Sequence, residues 1–149
     1  AVINLAIREQ GLSIINLFSG TFIPDDEAKT QRLPIPTDVL VTIQQECMQL
    51  DDEPRWLIAL ISDNGMRLSE ACGLVTSDIR LDGAVPHINL TAHPWRRLKT
   101  GPSSRQISLA GASLWAAKRV IKQGHQLAFP KYCNESKCNA NSASAALNK

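Results

Sequence analysis

The chain has 149 residues, 44% of them apolar and 20% charged, which suits one ordinary domain with a sizeable core and excludes a disordered chain. No apolar run approaches the roughly 18 residues of a membrane span, and the first ten residues lack the charged start and small-residue cleavage site of a signal peptide, so a soluble cytoplasmic protein with reduced thiols is expected. The formal charge of +2 hides an asymmetry: residues 1–66 carry a net −6, residues 67–149 a net +8, and no Asp or Glu lies between Asp82 and Glu135. That stretch holds Arg96, Arg97, Lys99, Arg105, Lys118, Arg119, Lys122 and Lys131. It reads either as a surface for a polyanion or as a solvated positive face without a partner.

In chain order, Ile3, Ala6 and Ile7 share the face of a short helix that Gly11 stops. Gly20, Pro24, Asp25, Asp26, Pro34 and Pro36 then punctuate a stretch with no helical period, which predicts a linker and a domain boundary. Residues 1–36 are accordingly the end of one domain plus a linker, and residues 37–149 a second domain. Thr37-Asp38 signals a helix start, followed by Leu40, Ile43, Cys47 and Leu50 at helical spacing. Asp51-Asp52-Glu53-Pro54 opens the next helix with acids at its positive end and Pro in its first turn. Its body, Trp56 to Ile61, is apolar all round and therefore central to the core. Asn64-Gly65 ends it, and Ser69 is the expected cap of a helix running through Leu74.

From Asp78 the pattern changes to strands. Asp78-Ile79-Arg80-Leu81 leads into the hairpin dipeptide Asp82-Gly83, and residues 87–91 alternate. A second turn at residues 99–103 precedes a third strand at residues 105–109. The short connections demand an antiparallel meander. A helix through Leu114, Ala117, Val120 and Ile121 stops near Gly124, and residues 141–147 form a last one, with Ala143, Ala146 and Leu147 on its apolar face. The predicted class is α+β, mainly helical with a small three-stranded antiparallel sheet.

Two positions suggest chemistry. Arg67 follows the Asn64-Gly65 stop at a tight junction between helices, where a guanidinium can present a planar fork to phosphate oxygens, and Glu70 is one turn away to hold it. By spacing alone the two also suit an ordinary surface ion pair. Lys99 lies near the tip of the second hairpin, with Arg96 and Arg97 on its approach and Arg105 beyond. An ammonium there can give a proton to a leaving oxygen, although lysine is also the usual occupant of an exposed turn. Cys47 and Cys72 sit in apolar helical patterns as small hydrophobes. Cys133 and Cys138, with His125 upstream, are spaced more widely than a C-x-x-C and lack a second pair, so no metal is assigned. A zinc-stabilised adaptor built on these three residues is the least favoured reading.

Taken together, Gly65-Met66-Arg67-Leu68-Ser69-Glu70-Ala71-Cys72-Gly73-Leu74 with Asp78-Ile79 resembles the first arginine motif of the tyrosine recombinases, specifically phage-type integrases. Residues 99–109, Lys99-Thr100-Gly101-Pro102-Ser103-Ser104-Arg105-Gln106-Ile107-Ser108-Leu109, resemble that family's lysine hairpin, with Ser108 where a proline is more usual. The stretch before Thr37 is similar to the linker between the family's core-binding and catalytic domains. The resemblance implies a cytoplasmic, bacterial or phage-encoded DNA strand transferase that needs no metal or small-molecule cofactor. In the family a tyrosine attacks the scissile phosphate of double-stranded DNA, forms a 3′-phosphotyrosine link and releases a 5′-hydroxyl, and the protein works as a tetramer on paired DNA. By the resemblance Arg67 is the first catalytic arginine, Glu70 its support and Lys99 the general acid, while Arg96, Arg97, Thr100, Ser103 and Arg105 face DNA.

The chain departs from the family in its second half. The H-x-x-R cluster is missing: Leu90 stands three residues after His87, and Ala128 three after His125. His93-Pro94-Trp95-Arg96 has the letters but precedes Lys99, in the sheet region. The sole tyrosine, Tyr132, lies upstream of where the cluster would begin and is expected to be an aromatic packing or surface residue instead of the nucleophile. The expectation is the front part of an integrase catalytic domain, inactive in cleavage by itself. The alternative is a non-enzymatic DNA-binding module that has lost the nucleophile.

Overall fold

The computed structural model describes residues 2–17, 19, 33–98 and 103–148. Contacts divide the chain into two units, Ala1–Pro34 and Ile35–Lys149. The first contains helix α1, Val2–Glu9, which ends ahead of Gly11 at φ +60. Most of the predicted linker, residues 18 and 20–32, lies outside the described residues.

In the second unit α2 spans Thr37–Leu50 and α3 spans Glu53–Ser62. Thr37 is the first helical residue rather than the cap, because Pro36 takes the cap position and its carbonyl accepts from the Leu40 amide at 3.0 Å. Asp52 caps α3 through its side chain, accepting from the Arg55 amide at 3.1 Å, with Pro54 in the first turn. Leu57, Ala59 and Leu60 are fully buried, which makes α3 the axis of the core. Gly65 closes the junction after it at φ +61, a left-handed conformation that favours glycine.

Helix α4, Leu68–Cys72, starts earlier than Ser69 would dictate and ends before Leu74. Arg67 is its N-cap, and Glu70 reaches back to accept from the Arg67 amide at 3.1 Å. That bond satisfies one of the donors left open at a helix start, so no serine is needed. A turn of 3₁₀ helix at Thr76–Asp78 then feeds a three-stranded antiparallel sheet of β1 (Ile79–Arg80), β2 (His87–Leu90) and β3 (Arg105–Ser108), in the order β1-β2-β3. The β1–β2 ladder pairs Ile79 with Ile88 and Arg80 with His87. Beyond it residues 82–85 bend instead of closing a tight hairpin at Asp82-Gly83, and Pro86 turns its carbonyl to the β3 side, where it accepts from the Leu109 amide at 2.8 Å. Strands β2 and β3 pair from His87–Ser108 to Leu90–Arg105. Their connection, residues 91–104, is far longer than a hairpin turn, and its described part doubles back at residues 93–96. His93 and Arg96 exchange two backbone hydrogen bonds of 3.0 Å.

Helix α5, Gly111–Lys122, packs against α3, and α6, Ala140–Leu147, covers α3 and α4. Asp63 ties the start of α5 to the end of α3, since its carboxylate accepts from the Ser113 amide at 3.0 Å. Asn139 caps α6 by accepting from the Ser142 amide at 3.1 Å. The single core gathers Leu57, Leu60, Leu74, Ile88, Leu90, Val120 and Phe129, all within 1% of full burial. The class is α+β, mainly helical with a small antiparallel sheet. Among the described residues, no helix is long and apolar enough to cross a membrane.

Gly73 shows how tightly one side of this core is built. A Cβ placed there would meet the Arg96 side chain at 2.9 Å from Cδ and 3.0 Å from Cβ. Arg96 cannot swing away without breaking bonds inside the protein, as described below. Gly73→Ala should therefore destabilise the fold by about 1–2 kcal/mol through overpacking, read as a lower urea midpoint with unchanged slope.

Candidate functional site

The site is assembled around one carboxylate. Glu70, on α4, is 2% exposed. Its Oε1 accepts from Arg67 Nη1 at 2.8 Å, and its Oε2 accepts from Arg105 Nη2 at 3.0 Å and from the Arg67 amide at 3.1 Å. Helix α4 carries Arg67 and Glu70 one turn apart, and β3 delivers Arg105 from 35 residues away. Burial alone would raise the Glu70 carboxyl. The hydrogen bond from Arg105 and those from the Arg67 amide and guanidinium overcome it and hold the group below the ordinary carboxylate value.

The outer faces of the two cations remain available. The Arg67 side chain is 53% exposed and that of Arg105 36% exposed, so the trio keeps a net positive charge at the surface. Arg105 is steadied further by Nη1 donating to the Ser103 carbonyl at 3.0 Å. Two guanidinia fixed from behind by one buried carboxylate form a clamp with the geometry and charge to hold an oxyanion. The pairing of Arg105 with Glu70 is absent from any local pattern, because it depends on how β3 lies beside α4.

Arg96 requires a correction. The carboxylate-free stretch suggested a DNA-facing residue, but Arg96 is 2% exposed and turned inward. Its Nη2 donates to Asp78 Oδ2 at 3.0 Å, Nη1 to the Gly73 carbonyl at 3.1 Å and Nε to the Thr91 carbonyl at 3.1 Å. Asp78, itself buried, is the hub: its carboxylate is also hydrogen-bonded to His93 Nε2 at 3.2 Å and accepts from the Val75 amide at 3.3 Å. The His93 ring stacks on Trp95 with centroids 5.0 Å apart, and Trp95 Nε1 donates to the Gly73 carbonyl at 3.1 Å. Arg96 thus pins residues 91–96 to α4 and the 3₁₀ turn. A His-Pro-Trp-Arg run, compact enough to double back, is the sequence signal that could have revealed this.

Of the remaining candidates, Arg97 is exposed and Ser103 half-buried, while Lys99 and Thr100 lie outside the described residues. Tyr132 is 3% exposed and its buried hydroxyl has no partner among the described residues. Burial, reinforced by Glu53, pushes its phenol further from ionisation, the opposite of what a nucleophile needs. Among the described residues no three of His, Cys, Asp and Glu are arranged to hold a metal ion. No family model, curated protein or solved structure matches the chain.

Proposed function

We propose that this chain is the arginine-and-lysine part of a DNA strand transferase of the tyrosine recombinase type. One observation carries the reading: the Arg67–Glu70–Arg105 clamp, in which two exposed guanidinia are braced by a single buried carboxylate. Phosphoryl transfer makes modest covalent demands on a protein and strong demands on positioning and charge stabilisation. Donors fixed before the substrate arrives need no reorganisation as charge gathers on the phosphoryl oxygens. In this reading Arg67 donates to a non-bridging oxygen of the scissile phosphate, Glu70 positions Arg67, and Lys99 gives its proton to the departing 5′-oxygen. Arg105 joins Arg67 on the phosphate or holds its neighbour.

Arg97, which is exposed, contributes charge to the DNA contact in this reading. Replacing it with Ala should weaken duplex binding about equally for unrelated sequences, since a phosphate contact carries no base information, and competition assays with two unrelated duplexes check this. The tetrameric assembly on paired DNA belongs to the same proposal.

Burial of Tyr132 favours a second reading for the chain taken alone, a DNA-binding module without strand transfer. The encoding gene separates the two. A frame running past codon 149 into H-x-x-R and a tyrosine is expected, and a stop codon overturns the transferase in favour of the module. At the protein level, this chain should form no covalent 3′-linked adduct with duplex DNA, and an adduct on Tyr132 would overturn the assignment of roles.

A further inference from the structure

Three of the four cysteines, Cys72, Cys133 and Cys138, come together at the far end of α4 from Arg67. Cys133 and Cys138 face each other across an isolated antiparallel bridge. The flanking bonds run from the Asn134 amide to the Lys137 carbonyl at 2.9 Å and from the Asn139 amide to the Tyr132 carbonyl at 2.8 Å. Cys133 and Cys138 are therefore a non-hydrogen-bonded pair, the arrangement that brings opposing side chains closest, with Cα atoms about 4.5 Å apart. That spacing falls within the range of about 4.4–6.8 Å that a disulfide tolerates. The turn between them is held in place by Asn134, whose Oδ1 accepts from the amides of Ser136 at 3.0 Å and Lys137 at 2.8 Å.

Cys133 is 3% exposed and Cys72, the last residue of α4, is fully buried, whereas Cys138 is partly open to solvent. The Cys72 thiol donates toward the Cys138 sulfur. That bond, opposed by burial and aided by the Cys133 thiol and the charge of Arg96, lowers the Cys138 pKa. Burial raises Cys133 and Cys47, and the bond to Cys138 together with burial raises Cys72. A partly exposed thiolate with a second thiol opposite it is the arrangement of an oxidisable pair.

We propose that Cys138 is an oxidant-sensitive site and that hydrogen peroxide converts Cys133 and Cys138 to a disulfide across the 134–137 turn. The Cys138 thiolate attacks one peroxide oxygen, the O–O bond breaks, and the departing hydroxide takes up a proton to leave as water. The resulting sulfenic acid is attacked by Cys133, the S–S bond forms, and the sulfenic oxygen leaves with the Cys133 proton as a second water. Two thiols are oxidised and one peroxide is reduced to two waters. Cys72 serves as a positioning donor and stays reduced.

The test uses the reduced chain in chelator-containing buffer. Limiting iodoacetamide at pH 7 should label Cys138 at least about tenfold faster than any other cysteine. After hydrogen peroxide, denaturing alkylation and trypsin, mass spectrometry should show peptides 132–137 and 138–149 joined and lighter by two hydrogens. Cys138→Ser should abolish the link, and Cys133→Ser should leave a sulfenic acid on Cys138 that dimedone traps. A link through Cys47 or Cys72, or both partner thiols still alkylating fully after peroxide in the wild-type chain, would overturn the proposal without touching the DNA reading.

Discussion

Arg96→Ala should lower the unfolding free energy by about 3–5 kcal/mol, because it leaves the buried Asp78 carboxylate without its guanidinium. The carbonyls of Gly73 and Thr91 lose their donors in the same step. For a unit of this size the melting temperature should fall on the order of 15 °C. Arg96→Lys should recover only part of the loss, since an ammonium cannot reproduce a planar fork aimed at several acceptors. Had Arg96 been a DNA-facing cation, the same change would lower affinity and leave stability almost unaltered. Thermal melts of both variants beside their duplex affinities separate the two roles.

Glu70→Gln should have the second largest effect, about 2–3 kcal/mol at neutral pH, from the loss of charge-assisted bonds to Arg67 and Arg105. Its pH dependence follows from the lowered Glu70 pKa. A carboxyl whose folded value lies below its unfolded value of about 4.3 contributes fully above the unfolded value. The contribution is lost as pH falls through the folded value. Wild type should therefore exceed Glu70→Gln in stability by a constant margin from about pH 6 upward, and the margin should shrink below about pH 4. A margin independent of pH down to acid unfolding would contradict the clamp electrostatics. The same variant should also weaken DNA binding, because the two guanidinia lose the brace that aims them.

Much of the fold was readable because helix and strand periods here are strong. The Trp56-to-Ile61 run has no polar face and can lie nowhere but the interior, and Gly65, Gly11 and Gly124 mark turns by left-handed backbone that other residues adopt only with strain. The misreadings cluster where tertiary contacts replace local ones. Ser69 looked like a cap, but Glu70 satisfies the Arg67 amide from inside the helix. The long 91–104 connection looked like approach and tip of a simple hairpin, yet the reversal at residues 93–96 turns Arg96 into the core. Charge composition counts such an arginine as surface, since nothing in a composition registers a buried Asp78 waiting 18 residues upstream. In the site, the Arg67–Glu70 turn was legible by spacing, whereas the arrival of Arg105 was not. The thiol cluster was equally hidden, because Cys72 joins Cys133 and Cys138 only through the packing of α6 and its preceding turn on α4.

In the proposed reading Arg67 and Arg105, braced by Glu70, hold a phosphate of duplex DNA. Arg67→Ala is the sharpest probe, since its side chain is half exposed, its amide still reaches Glu70 and Arg105 remains paired, so the variant should keep its fold. The decisive measurement is fluorescence anisotropy of a labelled duplex across a salt series for wild type and Arg67→Ala. Wild-type affinity should fall steeply with salt, and the variant should bind more weakly with a log–log slope shallower by about 1, the signature of one lost phosphate contact. A folded Arg67→Ala chain with the wild-type affinity and the wild-type salt slope would mean that Arg67 holds no phosphate.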